Sequence, residues 1–253
     1  MDLLLGALAY IFDPVNWGPG AVQPGAIGGL LLEHLRLTAL CVGIALVIAL
    51  PLGFYIGHTG RARQLVIGFT GAMRALPTLG LLYFFFTLFA FSLSFLPAAN
   101  LAVVISLIVL AIPSILAGAY SGLESVDRET IDASRALGMT ELQILWQVEI
   151  PLALPLIVGG IRASVLQVIA TATVAAYIGG GGLGRIILTG IGTNDYDRIL
   201  GGALLVTALA LVVDGAFALL QKLAATGNAP RGARDTDGEA SHSPLSAEHA
   251  AHQ

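Results

Sequence analysis

Charge is what this chain has least of. Only 11% of its 253 residues are Asp, Glu, Lys or Arg, whereas a soluble domain carries about 25%. Hydrophobic residues make up 56%, and the mean hydropathy is +0.85. That balance excludes an ordinary soluble domain and indicates an integral membrane protein. Cysteine is nearly missing as well. Cys41 stands alone inside an apolar run, so no intrachain disulfide can form and the residue reads as packing. A net charge of −4, partly set by an acidic tail, gives no basis for nucleic-acid binding. There is no His-Glu-x-x-His motif for a metal hydrolase and no Ser–His arrangement for an intramembrane protease. No catalytic constellation, metal site or cofactor is expected. The opening stretch has Asp2 where a secretory signal carries cations, and it reads as a retained, interfacial segment.

What remains is long uncharged sequence. A bilayer core takes about 20 apolar residues per helix. Runs over 37–57, from near Leu65 through a kink at Pro77, up to Leu123 after a turn at Pro97–Asn100, from Leu152 to Ile178, and from Ile199 to Gln221 then predict five spans. Leu3 to Phe12 is too short for a sixth. Arg61, Arg63, Arg128, Arg135, Lys222, Arg231 and Arg234 fall on one side of these spans, and Arg36, Arg185 and Arg198 on the other. The richer side should be cytoplasmic, which puts the N-terminus outside and the C-terminus inside. Residues 1–28 are then an N-terminal segment, 29–222 the membrane domain, and 223–253 a tail too poor in large apolar residues to bury a core.

One stretch breaks the pattern. Of the 12 basic and 16 acidic residues, eight lie between Glu124 and Glu149. Asp127 can cap a helix with Glu129 and Asp132 in its first turns, and Gly138 sits where a C-terminal glycine would end it, at positive φ. Thr140 to Gln143 has the spacing of a capping box for a second helix, expected to break at Pro151. Ala133, Ala136 and Leu137 share one face of the first helix, flanked by Asp132 and Arg135, a shallow knob suited to a socket on another protein.

The stretch Asp132-Ala133-Ser134, Gly138, then Val148-Glu149-Ile150-Pro151 resembles the cytoplasmic signature of ABC-importer permeases: Glu-Ala-Ala, three residues, Gly, nine residues, Ile-x-Leu-Pro. Spacing is kept, with Asp for Glu, Ser for the second Ala, Val for Ile and Ile for Leu. "EHLRLTAL", "RALPTLGLL", "VEIPLALPLIVGGIRAS", "ATVAAYIGGGGLGRIILTGI" and "ILGGALLVTALALVVD" extend the resemblance over about residues 29–222, toward permeases for glycine betaine, carnitine or choline. Arg74 departs from that branch, which commonly has an uncharged polar residue there. The resemblance implies an all-α type I importer permease whose loop 124–151 couples to ATP hydrolysis through Asp132, Ala133, Ser134, Ala136, Gly138, Val148, Ile150 and Pro151. It implies as partners two copies of a cytoplasmic ATP-binding subunit, a second permease subunit, identical or homologous, and an external solute-binding protein, all at the cytoplasmic (inner) membrane with its lipid. A methionine-type permease, a secondary transporter with its own coupling ion and a non-transporting assembly subunit stay open as alternatives.

Two features fall outside that loop. Gly179, Gly180, Gly181 and Gly182 lack the Gly-Lys-Ser/Thr of a phosphate loop and read as a tight turn where the fourth span ends, or as a gate. Asp214 is the carboxylate well inside a predicted span, either a pathway group or the partner of a neighbour such as Arg162.

Overall fold

With no water in a bilayer core, backbone amides must bond within their own segment, and the uncharged runs therefore become helices. The computed structural model describes residues 2–18, 25–92 and 98–227, and every regular element among them is helical. In order these are α1 (Asp2–Phe12), α2 (Ile27–Thr59), α3 (Arg63–Ala75), α4 (Thr78–Ser92), α5 (Ala98–Glu124), α6 (Arg128–Ala136), α7 (Glu141–Ile144), α8 (Ile150–Val174), α9 (Gly184–Thr193) and α10 (Tyr196–Gly227). Four helical stretches, Ile27–Thr59, Ala99–Glu124, Glu141–Ile178 and Tyr196–Lys222, are long and apolar enough to cross a membrane. The pair α3 and α4 makes a fifth if it counts as one broken span. This agrees with the expected all-α architecture of about five spans.

Two prolines behave differently from expectation. At Pro77 the second span turns rather than kinks: the helices on either side are bent by 91°. Leu76, forced out of the helical region before a proline, sits at φ −67° and ψ 128°. Pro151, expected to end a helix, does not. The chain is helical from Glu141 to Ile178, because residues Leu145–Glu149 form a π-helical turn just ahead of the proline. The N–H of Ile150 reaches back five residues to Leu145 O, which widens the turn where the proline ring would otherwise crowd the preceding carbonyls. Pro51, Pro113 and Pro155 also lie within helices. The expected turn at 97–100 lies partly outside the described residues, since Pro97 is not among them and Ala98–Asn100 already open α5. The tail from residue 228 lies outside them too.

Contacts set the directions. Cys41 on α2 lies beside Val104 on α5, Gly53 beside Ala119, and Gly57 beside Leu123, so these two helices run parallel. Ser164 Oγ donates to Ala111 O at 3.1 Å and Gly160 abuts Gly118, so α8 runs antiparallel to α5. Arg162–Asp214 and Pro155–Gln221 contacts make α10 antiparallel to α8. One end of the bundle therefore gathers the ends of α2, α5 and α10 with the start of α8 and the charged stretch. The glycine run lies at the far end of α8.

The centre is built from small residues. Ala45, Ala49, Ala102, Ala111, Ala119, Ala153 and Ala172 are fully buried. Lipid is as apolar as leucine, so helices gain from close van der Waals contact rather than from hydrophobic segregation, and small side chains permit it. Between α5 and α8 the approach is backbone to backbone: a Cβ on Gly118 would stand 2.6 Å from the Gly160 Cα, and one on Gly160 would stand 2.8 Å from Ser114 O. The apolar α1, of 11 residues, packs on α10, with the Arg198 guanidinium 5.6 Å from the centre of the Tyr10 ring.

The substitution Gly118→Val should separate α5 from α8 and cost about 1–3 kcal/mol, the usual penalty of overpacking. A lowered thermal-unfolding midpoint of the purified protein in detergent, against an unchanged midpoint for Gly215→Ala in open space, would register it.

Candidate functional site

The charged stretch forms as its residues dictate. Asp127, at φ −61° and ψ 132°, caps α6 by accepting from Glu129 N at 3.3 Å. Leu137 closes the helix and Gly138 follows at φ +84°, the left-handed region that favours glycine. Nothing lies within 4 Å of where a Gly138 Cβ would be, so backbone conformation alone demands glycine here. Thr140 and Gln143 make the reciprocal capping box at the start of α7. Two helices at the end of the bundle thus project a turn away from it.

Its faces divide clearly. Ala133, Ala136 and Gly138 are exposed, and Leu137 is 84% exposed. Leu142 on α7 and Trp146 on the π-helical turn are also exposed, at 67% and 59%, and Trp146 meets Phe54 of α2 edge-on. Asp132 is held by Arg135 Nη1 at 3.0 Å. Arg135 also donates through Nε and Nη2 to Glu141, at 2.8 and 3.1 Å, and these bonds hold its guanidinium even more firmly in the charged form. Ser134 is different: it is buried and donates to Thr130 O at 2.8 Å, so it faces the bundle and not the exposed surface. Val148, Ile150 and Pro151 are half-buried at the root of α8, with Ile150 against Leu123, Ala153 and Ile157.

Beneath the turn lies a polar cavity of about 290 Å³, lined among others by His58, Glu124, Arg128, Asp132, Arg135 and Glu149. Sequence reasoning did not single out His58. Its signal was a lone histidine at the end of an apolar run, facing the one buried carboxylate of the loop, Glu149.

At the far end, Gly179 and Gly182 have φ of +88° and +82°. Gly180 N donates to Ala175 O at 2.9 Å, closing the helix, and Gly182 N donates to Glu33 Oε2 at 3.0 Å. A side chain on Gly181 would collide with the Glu33 carboxylate. The glycines therefore form a tight turn laid against the start of α2, where the fully buried His34 donates through Nε2 to Ile169 O at 3.1 Å. No phosphate-binding geometry follows from these contacts.

Asp214 pairs with Arg162: its two oxygens accept from Nε and Nη2 at 2.6 and 2.7 Å, a bidentate fork joining α10 to α8. Gln221 adds a contact from Nε2 to Pro155 O at 2.9 Å. Among the described residues no three His, Cys, Asp or Glu side chains come together to hold a metal.

Known proteins now supply the family. Residues 49–225 match the family described as binding-protein-dependent transport system inner membrane component. The chain belongs to that family. It is a multi-pass transport component of the inner membrane. It is 34% identical over 199 residues to the glycine betaine/carnitine/choline transport system permease protein OpuCB of Bacillus subtilis, covering 77% of this chain and 88% of that one. To the carnitine transport permease protein OpuCB of Listeria monocytogenes it is 37% identical, covering 75% and 84%. To the osmoprotectant import permease protein OsmW of Salmonella typhimurium it is 36% identical, covering 78% and 91%. Among solved structures, a chain of the inward-facing MetNI methionine ABC transporter superposes with a TM-score of 0.67 over 76% of this chain and 93% of that one, at 24% identity. That likeness concerns the fold. The permease relatives are transport subunits, and bond chemistry is not the task of this chain.

Gly138→Val should strain the turn by about 1–2 kcal/mol, raising amide hydrogen exchange across 128–144, whereas Gly138→Asn, which tolerates positive φ, should leave exchange near wild type. For the fork, Asp214→Asn should lower the thermal midpoint, and the exchange of partners in Arg162→Asp/Asp214→Arg should recover part of it. Equal midpoints for single and double variants would make the pair structurally idle.

Proposed function

We propose that this chain is the permease of an ATP-driven importer for a compact quaternary ammonium solute such as glycine betaine, carnitine or choline. The observation that carries this reading is the similarity to permeases named for those solutes, over most of both chains. The interior is compatible with it. Arg162 and Asp214, within the predicted spans of α8 and α10, neutralise each other, so a weakly hydrated cation or zwitterion would not be trapped by a bare charge there.

Residues 29–222 are the transport domain in this reading, with the N-terminus outside and loop 124–151 in the cytoplasm. Two copies of the permease, or this chain with a homologous one, would flank the pathway beside two ATP-binding subunits, and an external binding protein would deliver the solute. Ala133, Ala136 and Leu137 would dock on the ATPase, with Asp132 and Arg135 at the rim. Gly138 would keep the turn rigid enough to transmit its movement, and Ser134, Val148, Ile150 and Pro151 would root the turn in the bundle. Gly179–Gly182, held by Glu33, would close the outer end, where the binding protein delivers solute.

Replacing Ala133 with Trp should abolish copurification of the ATPase while membrane insertion persists, because a bulky ring cannot enter a socket shaped for a methyl group. Normal turnover in that variant would move the docking surface elsewhere. The solute is decided by deleting the subunit in a strain without redundant importers and measuring radiolabelled uptake at high osmolarity. Loss of betaine, choline or carnitine uptake is expected; their unchanged entry together with failed methionine entry would overturn the solute assignment.

A further inference from the structure

At the loop's root, His58 stands between two carboxylates. Its Nδ1 is 2.6 Å from Glu149 Oε2 and its Nε2 is 3.4 Å from Glu141 Oε2. The first carboxylate is buried at the end of the π-helical turn; the second opens α7 and is gripped by Arg135, which also holds Asp132 on α6. One imidazole at the end of α2 thus begins a chain of contacts, His58–Glu141–Arg135–Asp132, that reaches the rim of the exposed alanine face, and anchors it on Glu149. The other charged groups facing the same cavity are Glu124 of α5, which pairs with Arg63 of α3 at 3.0 Å, and Arg128 of α6.

Two ionised carboxylates only accept hydrogen bonds, and a neutral imidazole has a single N–H to give. Only the imidazolium attracts both at once, through the hydrogen bond to Glu149 and the longer ion-pair contact to Glu141, because a neutral ring would turn a lone pair toward one of the carboxylates. We infer that His58 is a positioning residue that, when doubly protonated, clamps the end of α2 to Glu149 and Glu141 and so fixes the coupling turn, making coupling between ATP hydrolysis and transport sensitive to pH. The sign follows from the bridge. The clamp is complete when both ring nitrogens carry a proton, so it is tighter at lower pH. Loss of one ring proton at higher pH removes one of the two attractions, and the turn loosens.

The role in coupling rests on the docking surface proposed above; the clamp itself does not, and two measurements separate them. The first is amide hydrogen exchange over 128–144 in the nanodisc-reconstituted permease at about pH 6 and about pH 8, corrected for the intrinsic pH dependence of exchange. Wild type should lose protection severalfold between the two, His58→Gln should be equally unprotected at both, and Glu141→Gln, which removes an exposed partner and spares the core, should flatten the dependence. The second is ATPase activity of the assembled complex without binding protein or solute. Hydrolysis not linked to transport should rise severalfold from the lower to the higher pH in wild type, and be high and flat in His58→Gln. A permanent cation in His58→Lys should restore low hydrolysis at the higher pH. Equal protection in wild type and His58→Gln at both pH values overturns the clamp. Exchange that follows the prediction while hydrolysis is the same in wild type and His58→Gln overturns its part in coupling. Failure of the wild-type permease to assemble with its ATPase would instead fault the docking surface, with the exchange result still deciding the clamp.

Discussion

The contact on which the rest of the molecule depends is the one between two glycines. Where α5 meets α8, Gly118 and Gly160 bring their backbones closer than any side chain would allow. Hydrophobic burial gives little drive in lipid, so this close approach and the alanine seam along α2 and α5 do the work that leucine packing does in water. Because α5 is held on both flanks, its last turn and the first turn of α8 emerge side by side. That neighbourhood is what lets a 26-residue charged stretch between Glu124 and Glu149 fold back as two short helices.

Polar chemistry is distributed accordingly. Between α8 and α10 the half-buried Arg162–Asp214 fork presents no net charge to its surroundings, within spans where an unpaired charge would be costly. At the loop end, charges are many and shared: Arg135 serves Asp132 and Glu141, His58 meets the same Glu141 and also Glu149, and Arg63 meets Glu124. Exposed pairs of this kind contribute little individually to stability, but together they fix the orientation of the two short helices. The buried Glu149 is the exception, a carboxyl group that needs a polar partner where water is excluded, and the His58 imidazole supplies one at 2.6 Å.

The proline-rich start of α8 shows how such a protein keeps a long helix while carrying an irregularity. The π-helical turn at Leu145–Glu149 places Glu149 inward and lets the chain pass Pro151 without stopping. The exposed turn is therefore joined to the glycines at Gly179–Gly182 by one continuous helical path from Glu141 to Ile178.

Local chemistry was legible in the residues themselves. Asp127 and Thr140 as caps, Gly138 at positive φ, the exposed Ala133/Ala136/Leu137 face and about five spans all follow from short-range rules of capping, backbone conformation and hydropathy, which act within a few residues and survive any tertiary arrangement. The resemblance carried by Asp132 to Pro151 pointed to the family for the same reason, since its spacing encodes two local helices and a turn. What the sequence could not decide was anything requiring two distant segments. Pro151 alone reads as a breaker, and only the π-helical turn ahead of it explains its passage. Arg162 and Asp214 are 52 positions apart, His58 and Glu149 are 91, and Glu33 and Gly182 are 149. Which of several compatible partners each would find depends on helix direction and on the depth of backbone approach at Gly118 and Gly160, and these arise only when the helices pack.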